Sequence, residues 1–232
     1  MNLLAFDTST DTLFIALQRG DQLWQHQAAG GANSSATLIP SIQQGLQALD
    51  MKFTDLEAIV FGRGPGSFTG LRTSCAIAQG LAMGAHLRLL PVDTLLAVAE
   101  DARHQHGVTQ VMAVLDARMS EVYHAGYRWV DGVWHATQEL GLCAPETLQV
   151  PAGTAVVGNA HVAYPDRLAP DAQHLPALPT ATALLRMAPR LIADGHLVDA
   201  AGALPLYIRD KVAKTTAERD AERQAAEPTA HP

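Results

Sequence analysis

The segment with the clearest chemical potential is Gly62-Arg-Gly-Pro-Gly-Ser-Phe-Thr-Gly70-Leu-Arg72. Its glycines let the backbone turn tightly and come close to another group. A helix starting just beyond it would offer free N–H groups and a positive dipole end to an anion, which makes Gly64, Gly66 and Ser67 candidate contacts. Two phosphate-binding patterns are excluded. No pair of these glycines has the Walker spacing with a following lysine, and Thr69 stands where a dinucleotide loop needs its last glycine. The alternative is a sharp turn with close helix packing, and both readings stand at this stage. Asp7, Thr8 and Ser9 form a second candidate, at the end of a short apolar run. They could meet a phosphate or a metal-bound water, or Asp7 could simply cap its own turn. Asp116 with Arg118 repeats the pattern more weakly. His104 and His106 lie two positions apart and point in different directions on a helix. No HExxH, nucleophile–histidine pair or carboxylate dyad is visible, and Cys75 and Cys143 lack metal-ligand spacing. The chain therefore carries no expected metal and no expected cofactor of its own.

The elements that would position these residues follow from periodicity. Residues 3–7 read as a buried strand, and 12–18 and 22–27 follow at hairpin distance across Arg19-Gly20-Asp21. Ser34 or Ser35 is placed to cap a helix carrying Leu38, Ile42, Leu46 and Leu49. A strand at 58–61, a helix to about Gly84, a strand at 88–92 and a helix at 94–106 complete a βββαβαβα order. The second half repeats the first. Val111–Asp116 matches Leu3–Asp7, 120–127 matches 12–18, and Trp134 falls where Trp24 falls. A short strand at 155–157 and a helix near 180–194 follow, among proline-rich loops. The predicted fold class is α/β, with duplicated lobes of the actin, sugar-kinase and Hsp70 type. The expected organisation is an N-terminal lobe at 1–106, an eroded C-terminal lobe at 107–209 and a charged tail at 210–232.

In the helix after Ser67, Gly70, Ser74, Ala78 and Ala82 recur every four residues and leave one face nearly bare. Leu71 and Leu81, with Ile77 and Met83, would add the apolar area that a packed contact requires. At about 1.5 Å per residue the helix could form half of a standard interface. The 232 residues carry a net charge of −7, with 16 Lys and Arg against 23 Asp and Glu. Such a balance is unlike a protein that grips nucleic acid alone. No stretch approaches the length of a membrane helix, and the opening residues lack the basic start of a signal peptide. A cytoplasmic location with no membrane association is expected.

Four segments together resemble one family. Ala5-Phe-Asp7-Thr-Ser9-Thr, the Gly62–Arg72 loop, Leu115-Asp116-Ala-Arg118-Met-Ser-Glu121-Val-Tyr123 and Pro205-Leu-Tyr207-Ile-Arg209-Asp-Lys211-Val-Ala are similar to the TsaB (YeaZ) family. The resemblance implies a non-catalytic subunit that pairs with a catalytic paralogue, TsaD, and an ATPase, TsaE. Together they would install threonylcarbamoyl on adenosine in tRNAs reading ANN codons. It implies tRNA contact only through the complex, while weak ATP or ADP binding, by the chain alone or at a joint site with TsaE, stays open. The catalytic relative carries metal-binding histidines after the strand equivalent to 88–92, where this chain reads Pro91-Val-Asp-Thr-Leu-Leu-Ala-Val-Ala99. The resemblance also implies that the helices after Ser34 and Ser67 pack on the partner, with Leu38, Ile42, Leu46, Gly70, Leu71, Ser74, Ala78 and Leu81 as interface residues. A second copy of the chain is a further candidate for that face. Gly30-Gly-Ala-Asn33 departs from the family's usual stretch, so the first helix's cap is expected to differ. Two other classes remain: a stand-alone small-molecule kinase of the same superfamily, and a metallopeptidase, for which the ligands are missing.

Overall fold

A computed structural model describes residues 1–209; the predicted tail at 210–232 lies outside them. Strands β1 (Asn2–Asp7), β2 (Thr12–Arg19) and β3 (Gln22–Ala29) form an antiparallel meander. Strands β4 (Ala58–Gly64) and β5 (Arg88–Asp93) join it in parallel, giving the order β3-β2-β1-β4-β5. The second sheet contains β6 (Gln110–Arg118), β7 (Glu121–Val130), β8 (Val133–Cys143), β9 (Ala155–Gly158) and β10 (His174–Pro176), in the order β10-β9-β6-β7-β8. Read from its meander edge, the second sheet repeats the first strand for strand. This is the duplicated α/β, actin-like arrangement.

Central strand β1 is buried on both faces, which is why it reads as an unbroken apolar run rather than an alternation. Its side chains still alternate in destination. Leu4 and Phe6 join the core beneath helices α1 (Ser34–Ala48) and α2 (Phe68–Ala85). Leu3 and Ala5 face the opposite layer. The helical complement is unequal: where α1 follows β3, only a single 3-10 turn, Pro145–Thr147, follows β8. Between β9 and β10 the helix is the four-residue α4 (Ala160–Ala163).

The layers do not divide where the sequence repeats divide. Helix α3 (Thr94–His106) closes the first repeat, yet Leu95, Val98, Ala99 and Ala102 pack with Val111, Ala113, Leu115 and Tyr123 of the second sheet. Helix α5 (Ala181–Ala193) closes the second repeat and covers the first sheet, with Ala181, Leu184, Leu185 and Ala188 against Leu3, Ala5 and Val60. A cut at residue 106 therefore separates the repeats but not the cores. Where the exchanged helices meet, Glu100 (1 % exposed) accepts hydrogen bonds from Arg103, Arg186 and Trp134 Nε1. Burial pushes the Glu100 carboxyl up, but these donors outweigh it and hold it below its ordinary range. Asp101 beside it accepts from Thr180 Oγ1 and the Leu178 N–H, which fixes the start of α5.

The cap of α1 differs from the expectation. Asn33 precedes the helix without a side-chain cap bond, and Ser34 is its buried first residue rather than its cap. A 3-10 turn at Gly31–Asn33 leads in, and the Gly30 N–H donates to the Asp11 carbonyl at 2.8 Å. A Cβ on Gly30 would stand 2.7 Å from the Thr10 carbonyl oxygen, so this close approach requires glycine.

Candidate functional site

The topology brings the two chemically suggestive segments together, because β1 and β4 are parallel neighbours ending at the same sheet edge. Once there, they bond to each other. Asp7 Oδ1 accepts from the Ser9 N–H at 2.8 Å and from Ser9 Oγ at 2.5 Å. Its Oδ2 accepts from Thr94 Oγ1 at 3.4 Å. Thr8 Oγ1 donates to the Gly70 carbonyl at 2.6 Å, and the Ser67 N–H donates to the Ser9 carbonyl at 2.7 Å. Gly62 leaves room for the Asp7 carboxyl and Gly70 for the Thr8 carbonyl; a Cβ at either position would overlap those oxygens. The glycines thus serve close packing.

This corrects the anion-contact reading for most of its residues. Asp7 and Thr8 have no exposed surface, Ser9 is buried, and Gly64 is closed in by Leu206 and Leu71. Burial pushes the Asp7 carboxyl up to about 6, against the lowering effect of its hydrogen bonds from Ser9 and Thr94. Ser67 is the cap of α2, accepting from the Gly70 N–H; of that group only Ser67 is exposed and only Gly66 half-buried.

Beside this latch, a cleft of about 310 Å³ opens between the two sheets, lined by Ser9, Ser67, Phe68, Asp116, Arg118 and Asn159, among others. Several of its polar groups already bond within the chain. Asp116 Oδ1 accepts from the Arg118 N–H and Tyr164 Oη, while the Asp116 N–H donates to Asn159. The Arg118 guanidinium spans the mouth, 3.2 Å from Asp116 and 2.5 Å from Asp11 on the opposite side. It is held there by a turn in which Arg118, Met119 and Ser120 all have left-handed backbone angles, φ 61°, 54° and 58°. Sequence reasoning singled out Asp116 and Arg118 but missed Asp11, which lies 107 positions away from Arg118.

The helix-pair reading also changes at residue level. Leu38, Ile42, Leu46, Gly70, Leu71, Ser74 and Ala78 are buried inside this chain, and only Leu81 keeps partial exposure. The four-residue stripe turns inward: Ala78 and Ala82 pack on the first sheet, and Gly70 lies against Thr8. The outward face is a different set. On α1 it presents Ala36, Ile39, Pro40, Gln43 and Gln47, and on α2 Thr69, Ala76, Gly80, Met83 and Gly84. Gly80 and Gly84 have open space where a Cβ would stand. Helix α1 contains no charged residue, and α2 contains only Arg72. A solvated helix face normally carries charge, so this absence was a signal available in the sequence. Among the described residues, no three His, Cys, Asp or Glu groups converge as a metal site, and no helix is long and apolar enough to cross a membrane.

Known proteins share both the sequence and the architecture. The family model described as "TsaD: tRNA N6-adenosine threonylcarbamoyltransferase" matches residues 22–224. The chain is 36% identical to the tRNA threonylcarbamoyladenosine biosynthesis protein TsaB of Escherichia coli (strain K12), over 92% of this chain and 96% of that protein. It is 33% identical to the TsaB of Haemophilus influenzae, over 91% and 95% respectively. The solved structure of YeaZ from Pseudomonas aeruginosa superposes with a TM-score of 0.82 at 33% identity, covering 89% of this chain and 99% of that one. With these matches spanning both repeats, the latch and the helix pair, the chain belongs to the TsaB (YeaZ) family.

Proposed function

We propose that this chain is the non-catalytic partner subunit of a tRNA threonylcarbamoyladenosine-forming assembly. In this reading it pairs with the catalytic paralogue TsaD and works with the ATPase TsaE on tRNAs that read ANN codons, in the cytoplasm. The observation that carries the reading is the outward face of α1 and α2. Its apolar, small and amide side chains lie beside two open glycines, with no charge from Ser34 to Ala48, in a member of the TsaB family. Small side chains let a second pair of helices approach closely, while Ile39 and Met83, 39% and 70% exposed, supply apolar area to bury. A four-helix contact of this kind suits a paralogue built on the same fold.

The non-catalytic assignment draws on what the candidate residues already do. Asp7, Thr8 and Ser9 hold the glycine loop, and Asp116 and Arg118 hold one another and Asp11. These groups are already bonded to one another, which favours a structural role, and we assign any ATP or ADP contact to a joint site with TsaE. The net charge of −7 fits a subunit that meets tRNA through its partners. The test is association of purified chain and TsaD, measured by sedimentation, with Gly80→Arg as the variant. A heterodimer that the variant abolishes supports the assignment, and an unchanged heterodimer places the interface elsewhere.

A further inference from the structure

The last described residues cross from one sheet's side of the cleft to the other, and Ala203 and residues 206–209 are each fastened. The Ala203 carbonyl, fully buried, accepts from Cys75 Sγ at 2.9 Å and Gln79 Nε2 at 2.8 Å, both on α2. The Leu206 N–H donates to the Arg63 carbonyl at the end of β4, at 2.7 Å. The contact is close enough that a Cβ on Gly64 would stand 2.6 Å from the Leu206 carbonyl oxygen. The Tyr207 ring lies 5.2 Å from that of Phe68, and its hydroxyl accepts from Arg72 Nε at 3.3 Å, both on the first turns of α2. Beyond this point the chain changes sides. Ile208 packs into the core of the second sheet, and the Arg209 guanidinium pairs with Glu121 at the start of β7 and reaches the Arg118 carbonyl.

We propose that residues 203–209 form a strap that couples the partner-binding helix α2 to the opening of the cleft. Away from the cleft lining, α3 and α5 join the two repeats through Glu100 and Arg186. The strap joins the sides at the front, and its first half is bonded to α2 itself. Widening the cleft must then pull on Tyr207 and Ala203 or break Arg209 from Glu121. By linkage, a partner that fixes α2 also biases the opening, and a change in the opening alters affinity on α2. The strap needs no ligand in the cleft; its own residues bridge the sides where a bound molecule otherwise could. The half of the proposal that concerns affinity rests on the α1–α2 partner reading; the half that concerns the opening does not.

The experiment is hydrogen–deuterium exchange of the full chain alone, comparing wild type with Arg209→Ala and with the milder Glu121→Gln. Both substitutions lie at the second-sheet end, away from α2. The expected result is exchange faster by about tenfold at the β6–β7 turn and also over residues 68–75 of α2, with α4 unchanged. Faster exchange confined to the turn and the strap in both variants overturns the coupling. In a second arm, TsaD affinity is measured for Glu121→Gln beside Gly80→Arg. A loss of about fivefold or more for Glu121→Gln is expected. Unchanged affinity there, with Gly80→Arg disruptive, overturns the link to the partner. Unchanged affinity for Gly80→Arg itself overturns the partner-face reading, while the exchange result still decides the strap.

Discussion

Replacing Asp7 with asparagine separates two roles of that carboxyl: its shape in the latch and its charge. Asp7 has no exposed surface, and burial pushes it from 3.8 to about 6, the hydrogen bonds from Ser9 and Thr94 opposing the rise. An asparagine can keep its Oδ1 on the Ser9 N–H and hydroxyl and turn its amide N–H toward Thr94. Because the folded pKa is raised, the folded chain holds a proton that the unfolded chain releases. The contribution is therefore full below about pH 4 and is lost as pH rises through about 6. At about 1.4 kcal/mol per pH unit, the shift amounts to about 3 kcal/mol. The assay is urea denaturation of both proteins at intervals from pH 4 to pH 8. The stability of Asp7→Asn relative to wild type should rise by about 3 kcal/mol across that range, mostly between pH 4 and 6. Glu100 is perturbed in the opposite direction and favours stability at higher pH, but it is common to both proteins and cancels in the difference. A difference that does not vary with pH refutes the buried, proton-holding latch.

Four other substitutions test the packing. Gly80→Arg enters open space on α2 and should preserve or slightly raise stability, by up to about 1 kcal/mol from helix propensity, while removing TsaD binding in sedimentation. Ala78→Arg, two residues away and fully buried, should instead leave the purified chain without a cooperative unfolding transition, and a normal transition would place residue 78 on the surface. Gly70→Ala drives a methyl into the Thr8 carbonyl and should cost about 1–3 kcal/mol in urea denaturation; a cost under about 0.5 kcal/mol contradicts the close approach. Glu100→Gln removes the buried charge facing Arg103 and Arg186 and should cost about 3–5 kcal/mol, read by thermal or urea unfolding, with a near-neutral result marking the network as dispensable.

The strands and their duplication were legible because their signals are local. An apolar run ending in aspartate, a tight turn and a following strand recur at Leu3–Asp7 and Val111–Asp116, and the duplicated lobes were read from that repeat. The exchange of α3 and α5 was not legible: an apolar helix face states that it will be covered, not which sheet will cover it. The same limit explains the interface error. Leu38, Ile42 and Ala78 have the period of a packed face, and the nearest thing to pack on is the chain's own first sheet. The better clue was charge, since α1 carries none on its solvent side. Pairs such as Glu100–Arg186 and Arg118–Asp11, 86 and 107 positions apart, arise only when distant segments meet, and no spacing rule reaches them.

In the proposed role, this chain acts as a subunit whose partner seats on the outer face of α1 and α2. The most direct test of that role is the yield of threonylcarbamoyladenosine in tRNA, measured by mass spectrometry of nucleosides. The reaction contains TsaD, TsaE, tRNA, ATP and the threonylcarbamoyl donor, with this chain present, omitted or replaced by Gly80→Arg. Product is expected only with the wild-type chain. Full modification with the chain omitted would contradict that role.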